Sequence, residues 1–156
     1  LGPAIRLARR RGLPIVVDPK VEHFKRYKKV TCMTPNTAEA WACMRRDQKP
    51  GSEALDILGR DILKTLKSRS VLITRGAEGM SLFEDAGRVT HIPTRAREVF
   101  DVSGAGDTVI STLTLALAAG APLRRAAALA NHAAGIVVAK LGTATTDAKE
   151  LAEAIR

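Results

Sequence analysis

Residues 101–108, D-V-S-G-A-G-D-T, combine two glycines, two acidic residues and the start of a long apolar run. Glycine lets a backbone approach a phosphate closely, and the free N–H groups of a helix's first turn point towards such an anion. We therefore predict a phosphate cradle at residues 104–106, at the beginning of a helix. A carboxylate at Asp107 would repel phosphate unless it has a chemical task, such as taking a proton from a nucleophile. The alternative is structural, with Asp107 or Ser103 acting only as the helix N-cap.

A second polar group follows a short apolar run at residues 30–34. Asn36 and Glu39 have the spacing of a capping box for a helix that begins at Thr37. Ligands in open α/β sheets bind at the carboxyl ends of strands, so the same two side chains also face a candidate polar crevice. Their oxygens suit hydrated Mg²⁺. Phosphoryl transfer needs a phosphate cradle, a metal ion and a base, and these two groups together could supply all three.

The elements that must position these residues alternate between strands and helices. The strands are short and β-branched without alternation, which is typical of strands buried on both faces. This order predicts an α/β protein with a parallel sheet, and two short strands around a turn predict an antiparallel edge. We expect strands at 13–17, 30–34, 71–74, 80–83 and 88–92, and helices at 2–11, 37–44, 52–67, 109–119, 123–140 and 148–155.

Composition narrows the classes of function. The 156 residues are enough for one domain with a core, and the net charge is +9. The basic residues are dispersed and no aromatic residues interleave with them, which disfavours nucleic-acid binding and favours a small anionic substrate. Two cysteines without metal-ligand spacing indicate buried free thiols in a reducing compartment, the cytoplasm. We find neither a signal peptide nor a membrane-spanning run, and since the chain opens at Leu1 rather than Met we expect it to be a piece of a longer protein.

Several common sites are excluded by their missing motifs. The sequence has no G-x-x-x-x-G-K-[ST] loop and no G-x-G-x-x-G after the first strand. Ser103 does not stand in a G-x-S-x-G elbow and has no evident histidine partner. His23, His91 and His132 lie far apart without metal-ligand spacing, so we interpret each of them as structural.

Four elements now carry a resemblance to a known family. Residues 101–107 resemble the D-x-x-G-A-G-D signature of the ribokinase-like (PfkB) sugar kinases, and the other family landmarks follow in the same order along nearly the whole chain. The resemblance implies a three-layer α/β/α ribokinase-like fold, of which residues 1–156 are the C-terminal, ATP-side half with part of the central sheet. The remaining matches are Asn36-x-x-Glu39 after Thr34-Pro35, Thr74-x-Gly76-x-x-Gly79 for the nucleotide-phosphate turn, and Asn131 and Gly142 for the adenine-side helix and the loop after it.

The resemblance also implies a role for each matched residue. Asp107 becomes the general base for the sugar hydroxyl, and the cofactors are ATP and Mg²⁺, with K⁺ as a candidate monovalent cation. Ser103 stands where threonine is common in the family. The other implied roles are an anion hole at Gly104, Ala105 and Gly106; ATP phosphates and ribose at Thr74, Gly76 and Gly79; adenine at Asn131; Mg²⁺ through water and phosphates at Asn36 and Glu39; and K⁺ at Asp101 and Ser103, with help from the loop around Gly142 and Thr146.

Within the family, the motifs are most similar to those of the heptose-7-phosphate kinases of lipopolysaccharide precursor synthesis. These enzymes phosphorylate O1 of a sugar phosphate, and they are often fused to a nucleotidyltransferase that follows. We expect no nucleic-acid or membrane partner, and a homodimer is a candidate assembly of the full-length protein. The sugar-binding half and lid of the family are absent, so we expect little activity from this piece alone. Two alternatives stay open: another PfkB kinase, of ribose, fructose phosphate or a nucleoside, and a non-catalytic nucleotide-binding fragment.

Overall fold

The computed structural model describes residues 1–96 and 98–156. Within them the chain divides into two compact units, the first containing 1–75 and 81–91 and the second 76–80 and 92–156. The helices are α1 (Gly2–Arg10), α2 (Thr37–Cys43), α3 (Ser52–Leu66), α4 (Ala105–Ala118), α5 (Leu123–Val138) and α6 (Ala148–Ile155). The strands are β1 (Val16–Val17), β2 (Cys32–Met33), β3 (Ser70–Thr74), β4 (Met80–Glu84) and β5 (Val89–Ile92).

The five strands form one sheet in the order in which they occur along the chain. β1 pairs with β2, and β2 with β3, both in parallel, as expected where helices connect the strands. Short connections then reverse the chain into β4 and β5, and the Asp85 N–H donates to the Arg69 carbonyl at 3.0 Å. The predicted α/β class with an antiparallel edge is therefore confirmed.

The core of the first unit lies between the sheet and helices α2 and α3. Leu58, Ile62 and Leu66 recur with helical spacing on α3 and are fully buried. Gly59 lets the ring of Phe83 on β4 come close, because a Cβ at residue 59 would lie within 2.6 Å of that ring. This packing fixes α3 against the antiparallel edge of the sheet.

The second unit is built on the paired helices α4 and α5. Their buried residues are mostly aliphatic or alanine, such as Val109 and Leu113 on α4. Gly135 on α5 faces the backbone at residues 95–96, where an added Cβ would lie 3.1 Å from the Ala96 nitrogen. The small residues of α5 therefore let the 93–96 segment lie directly on the helix, as their abundance in the sequence predicts.

Several expected bounds differ from the structure, among them the strand expected at 30–34, which is only Cys32–Met33. The strand predicted at 13–17 is only Val16–Val17 and is half-buried rather than buried on both faces, and Leu13 is 55% exposed. The physical reason is that β1 lies at the edge of the described sheet, with one neighbouring strand. Residues Val21–Arg26 form an unpredicted 3₁₀ helix that buries Phe24, and the predicted helix at 123–140 ends at Val138. None of the helices in the described part of the chain is long and apolar enough to cross a membrane.

Candidate active site

In the first unit, the carboxyl ends of β2 and β3 meet at a polar edge. Thr74 pairs with Asn36 as an isolated parallel bridge, and its N–H donates to the Pro35 carbonyl at 3.0 Å. The Thr37 hydroxyl donates to the Thr74 carbonyl at 3.2 Å. The fold therefore brings together three residues that the sequence assigns to phosphates and Mg²⁺, namely Asn36, Glu39 and Thr74.

The capping box at this edge forms as predicted. The Asn36 side-chain oxygen accepts from the Glu39 N–H, and Glu39 Oε2 accepts from the Asn36 N–H. Asn36 is exposed, Glu39 is half-buried, and Glu39 Oε1 makes no hydrogen bond to the residues that the structure describes. The pair is therefore both a structural cap and an accessible set of oxygens.

A fit for Mg²⁺ depends on the donors that remain at this edge. Among residues 1–96 and 98–156, no three His, Cys, Asp or Glu side chains come together as a metal site. Mg²⁺ keeps several waters and is often held through one or two carboxylates and substrate phosphates. The oxygens of Glu39 and Asn36 fit such contact through water, and they do not form a cage.

A chain of side chains that the sequence did not reveal runs beside this edge. Arg75 Nη1 donates to Ser81 Oγ at 3.3 Å, and Ser81 Oγ lies 3.0 Å from His91 Nδ1. His91 Nε2 lies 3.6 Å from Asp56 Oδ1 on α3. The one signal in the sequence was a serine within the apolar strand β4, where Ser81 is fully buried.

In the second unit, the turn at 76–80 depends on its two glycines in different ways. Gly76 has φ 58° and nothing within 4 Å of the position of an added Cβ. Gly79 has φ 85°, and a Cβ there would overlap the Ile92 carbonyl oxygen and lie 2.5 Å from the Thr94 nitrogen. Gly79 is thus required for close packing of backbone on backbone, whereas Gly76 leaves open space beside the turn.

Helix α4 begins with an uncapped first turn, and Gly104, with φ 80°, is its N-cap. Neither Asp107 nor Ser103 caps the helix, so that structural alternative is wrong. The Ala105 N–H donates to the Val102 carbonyl at 3.2 Å, while the N–H groups of Gly104 and Gly106 have no acceptor among the described residues. Two of the three amides of the predicted anion hole therefore remain available to a ligand.

Asp107 lies in the first turn of α4 and is exposed. Its carboxylate accepts no hydrogen bond from the part of the chain that the structure describes. A carboxylate that neither caps a helix nor forms a structural contact is accessible to an incoming hydroxyl. The helix dipole favours a negative charge at this position.

Asp101 and Ser103 form a compact turn against the loop that follows α5. The Ser103 N–H donates to Asp101 Oδ1 at 2.8 Å. Hydrogen bonds from Ser103 and from the Gly142 N–H hold the pKa of the Asp101 carboxyl below its ordinary value. The two candidate K⁺ ligands and the Gly142 loop are thus neighbours, as the resemblance implies.

Asn131 is buried on α5, and its amide nitrogen donates to the Pro93 carbonyl at 2.7 Å. It therefore fixes the 93–96 segment, and its amide oxygen accepts no hydrogen bond from residues 1–96 and 98–156. The neighbouring His132 has a lowered pKa because burial, and then the charge of Arg95, disfavour the imidazolium. The role of Asn131 near adenine stays a prediction.

Comparison with known proteins gives these elements a family. The family described as pfkB family carbohydrate kinase matches residues 3–150. This chain belongs to the PfkB family of carbohydrate kinases. The resemblance drawn from the four motifs is confirmed.

Relatives of this PfkB chain are considerably longer than it is. It is 48% identical over 153 residues to the bifunctional protein HldE of Alcanivorax borkumensis, covering 97% of this chain and 31% of that protein. It is 49% identical over 148 residues to HldE of Trichlorobacter lovleyi, covering 95% of this chain and 30% of that protein. The chain therefore spans about a third of the length of the curated relatives it matches.

Solved structures agree on the PfkB fold. Phosphofructokinase-2 from Escherichia coli in complex with potassium matches with a TM-score of 0.85 and 19% identity, over 99% of this chain and 52% of that one. Arabidopsis thaliana ribokinase complexed with ribose and ATP matches with a TM-score of 0.83 and 20% identity, over 97% of this chain and 50% of that one. At these identities the likeness shows the fold alone, and it confirms the ribokinase-like class.

Proposed function

We propose that this chain is the ATP-side half of a sugar kinase that transfers the γ-phosphoryl group of ATP to O1 of a heptose 7-phosphate. The observation that carries the proposal is the start of α4, where an uncapped first turn with available amides stands beside the exposed carboxylate of Asp107. Membership of the PfkB family supports the reaction class. The heptose subgroup is favoured by the motif resemblance and by the identity of almost one half to the HldE proteins.

In this proposal Asp107 takes the proton from the sugar hydroxyl as the hydroxyl attacks phosphorus. The Gly104 and Gly106 amides donate hydrogen bonds to the transferring phosphoryl group, and the Ala105 amide would have to leave Val102 to join them. Preorganised donors of this kind stabilise the charge that develops in the transition state. The acid–base and electrostatic parts of the reaction therefore reside on one helix end.

In this proposal, ATP and Mg²⁺ bind at the other matched motifs. Thr74, Gly76 and Gly79 line the ATP phosphates and ribose, and Asn131 lies near the adenine. Asn36 and Glu39 hold Mg²⁺ through water, and the ion neutralises phosphate charge when it is bound. The open space beside Gly76 and the Oε1 of Glu39, which has no hydrogen-bond partner among the described residues, support these assignments.

The Asp101 turn is the proposed monovalent-cation site. Its support is the convergence of the Asp101 carboxylate, Ser103 and the Gly142 loop, with an Asp101 pKa that keeps the carboxylate ionised at physiological pH. A K⁺ ion here would stiffen the loop that precedes the anion hole.

We also propose a substrate class, a cellular location and a domain organisation for the complete protein. The substrate is a small anionic sugar phosphate, to which the net charge of +9 is suited. A cytoplasmic location is supported by two buried free thiols, Cys32 and Cys43. Because the HldE relatives are bifunctional and three times as long, we propose a sugar-binding half before this chain and a nucleotidyltransferase domain after it. A homodimer of that complete protein is part of the proposal.

The test is an ADP-release assay on the complete protein, with heptose 7-phosphate, ribose and fructose 1-phosphate compared as acceptors. We expect turnover with the heptose phosphate to exceed turnover with the other two, since ribose lacks a phosphate and fructose 1-phosphate carries its phosphate at C1, where the heptose phosphate presents its reacting hydroxyl. A preference for ribose or for fructose 1-phosphate would reassign the substrate within the family. Failure to release ADP with any acceptor would reject the kinase function.

A further inference from the structure

The side chains of Arg75 and Ser81 close the base of the turn at 76–80. Arg75 directly precedes that turn and Ser81 directly follows it, and Arg75 Nη1 donates to Ser81 Oγ at 3.3 Å. A hydrogen bond between the two flanking residues limits how far the ends of the turn can separate. Ser81 is fully buried within the apolar strand β4, so water does not replace this contact.

The direction of the hydrogen bonds assigns a tautomer to His91. An arginine can only donate, so Ser81 Oγ accepts from Arg75. If His91 Nδ1, 3.0 Å away, donated to Ser81 as well, the proton of this buried hydroxyl would have no acceptor among the described residues, so we assign the serine proton to Nδ1. Nδ1 is then the acceptor and Nε2 carries the ring proton. The chain of donors therefore runs in one direction, from Arg75 through Ser81 to His91.

The far end of this chain faces a buried carboxylate oxygen on α3. Asp56 Oδ1 is buried on α3 and has no hydrogen-bond partner among residues 1–96 and 98–156. His91 Nε2 lies 3.6 Å from it, too far for a hydrogen bond but close enough for electrostatic attraction between the ring N–H and the carboxylate. Asp56 thus favours the tautomer that leaves Nδ1 free to accept from Ser81.

We propose that Ser81 and His91 are positioning residues for nucleotide binding, acting through Arg75 on the turn at 76–80. The inference rests on the proposed function, in which Gly76 and Gly79 contact ATP. A turn whose ends are held together presents its backbone to the phosphates in one conformation and loses less entropy on binding. Loss of the network is expected to weaken ATP binding while leaving the sugar site and the base unaffected.

The first experiment compares two buried serines in the complete protein. Ser81→Ala removes the network, and the matched control Ser70→Ala removes an equally buried hydroxyl that donates to the Thr31 carbonyl at 2.8 Å, away from Arg75. We expect Ser81→Ala to raise the KM for ATP about three- to tenfold, the effect of one lost hydrogen bond, with kcat and the sugar KM nearly constant. Ser70→Ala should leave the KM for ATP unchanged.

The second experiment uses His91, whose exposed side chain tolerates substitution better than the buried Ser81. His91→Phe removes the acceptor, whereas His91→Asn keeps a polar group near the position of Nδ1. We expect the KM for ATP to rise in His91→Phe and to be largely restored in His91→Asn. Nitrogen-15 NMR of the imidazole in the wild-type protein should show the proton on Nε2.

Distinct outcomes separate this inference from the proposed function. A wild-type protein that neither binds ATP nor releases ADP would reject the kinase proposal. An active wild type in which Ser81→Ala matches Ser70→Ala, or in which His91→Phe matches His91→Asn, would overturn the positioning role alone. A proton on Nδ1 of His91 would overturn the assigned direction of the network.

Discussion

The side chains of Asn36 and Glu39 each accept a hydrogen bond from the backbone N–H of the other residue, at 2.9 and 2.8 Å. This reciprocal cap is a sufficient structural reason for both residue types at the start of α2. It means that loss of activity on mutating either residue would not by itself demonstrate a metal-binding role. The capping and metal-binding contributions of Asn36 can be separated by substitution. Serine can replace asparagine as a helix cap, but its side chain is shorter and has no amide group.

Asn36→Ser should separate capping from phosphate and Mg²⁺ binding. Serine caps about as well as asparagine, so we expect the free energy of unfolding to change by less than about 0.5 kcal/mol. The shorter side chain no longer reaches ligand waters, so the KM for MgATP should rise. The control Asn36→Ala should lower stability by about 1 kcal/mol as well. Equal KM values for Asn36→Ser and wild type would remove Asn36 from the proposed site.

Asp107→Asn should abolish most of the activity of the complete protein without unfolding it. Removal of a general base typically lowers kcat by roughly 10²–10⁴-fold. The melting temperature and the ATP dissociation constant should stay close to the wild-type values, because Asp107 is exposed and caps nothing. Asp85→Asn, at another exposed carboxylate, is the matched control. A kcat within a factor of about five of wild type would contradict the role of base.

Gly79→Ala and Gly76→Ala should differ in their effect on stability. Both residues have positive φ, which costs about 1–2 kcal/mol for alanine. Only residue 79 would also collide with backbone at Ile92 and Thr94, so we expect a loss of roughly 3–5 kcal/mol there. Chemical denaturation of the two variants in the same protein measures the difference. Equal losses would show that the backbone near Ile92 gives way.

Asp101 should titrate below its ordinary pKa of about 3.9, which a carboxyl NMR titration can measure directly. Because the folded-state pKa is depressed, its contribution to stability is present above the unfolded value and is lost as the pH falls through the folded value. Asp101→Asn should therefore flatten the acid limb of the stability curve. If the cation proposal holds, Asp101→Asn should also reduce the activation by K⁺, measured as the activity in potassium salt relative to the activity in choline salt. A pKa at or above the ordinary value would contradict the hydrogen bonds from Ser103 and Gly142.

Cys32 should be unreactive in the folded protein, since burial raises the pKa of its thiol to about 11. The raised folded-state pKa means that its contribution to stability is present below the ordinary value of 9.0 and is lost as the pH rises towards 11. Over this pH range the shift of the Cys32 pKa corresponds to a change of about 3 kcal/mol in the free energy of unfolding. The difference in unfolding free energy between wild type and Cys32→Ala should therefore shrink between pH 8 and 11, with Cys43 present in both. Parallel pH curves would contradict the shift.

Much of the fold could be predicted from local patterns. The helix at Ala148–Ile155 was predicted with its observed bounds, because the capping box of Asp147 and Glu150 is made with nearby backbone N–H groups, although Glu150 also accepts from Lys140 Nζ. Strand ends were predicted less well, since Leu13 continues the apolar run of β1 yet is 55% exposed. Hydrophobic sequence marks a segment that can be buried, whereas its burial depends on which neighbours reach it.

The sequence by itself determined the family, the order of the elements and the residue types of the candidate site, because each motif is a short run whose meaning depends on local backbone geometry. Tertiary structure alone decided which distant groups meet: the Gly142 loop beside Asp101, the Pro93 carbonyl against Asn131, and Asp56 beside His91. It also decided that Asp107 is an exposed carboxylate and not a cap. The physical reason is that hydrogen bonds between remote segments depend on how helices and strands pack, and that packing leaves no periodic signal in the sequence.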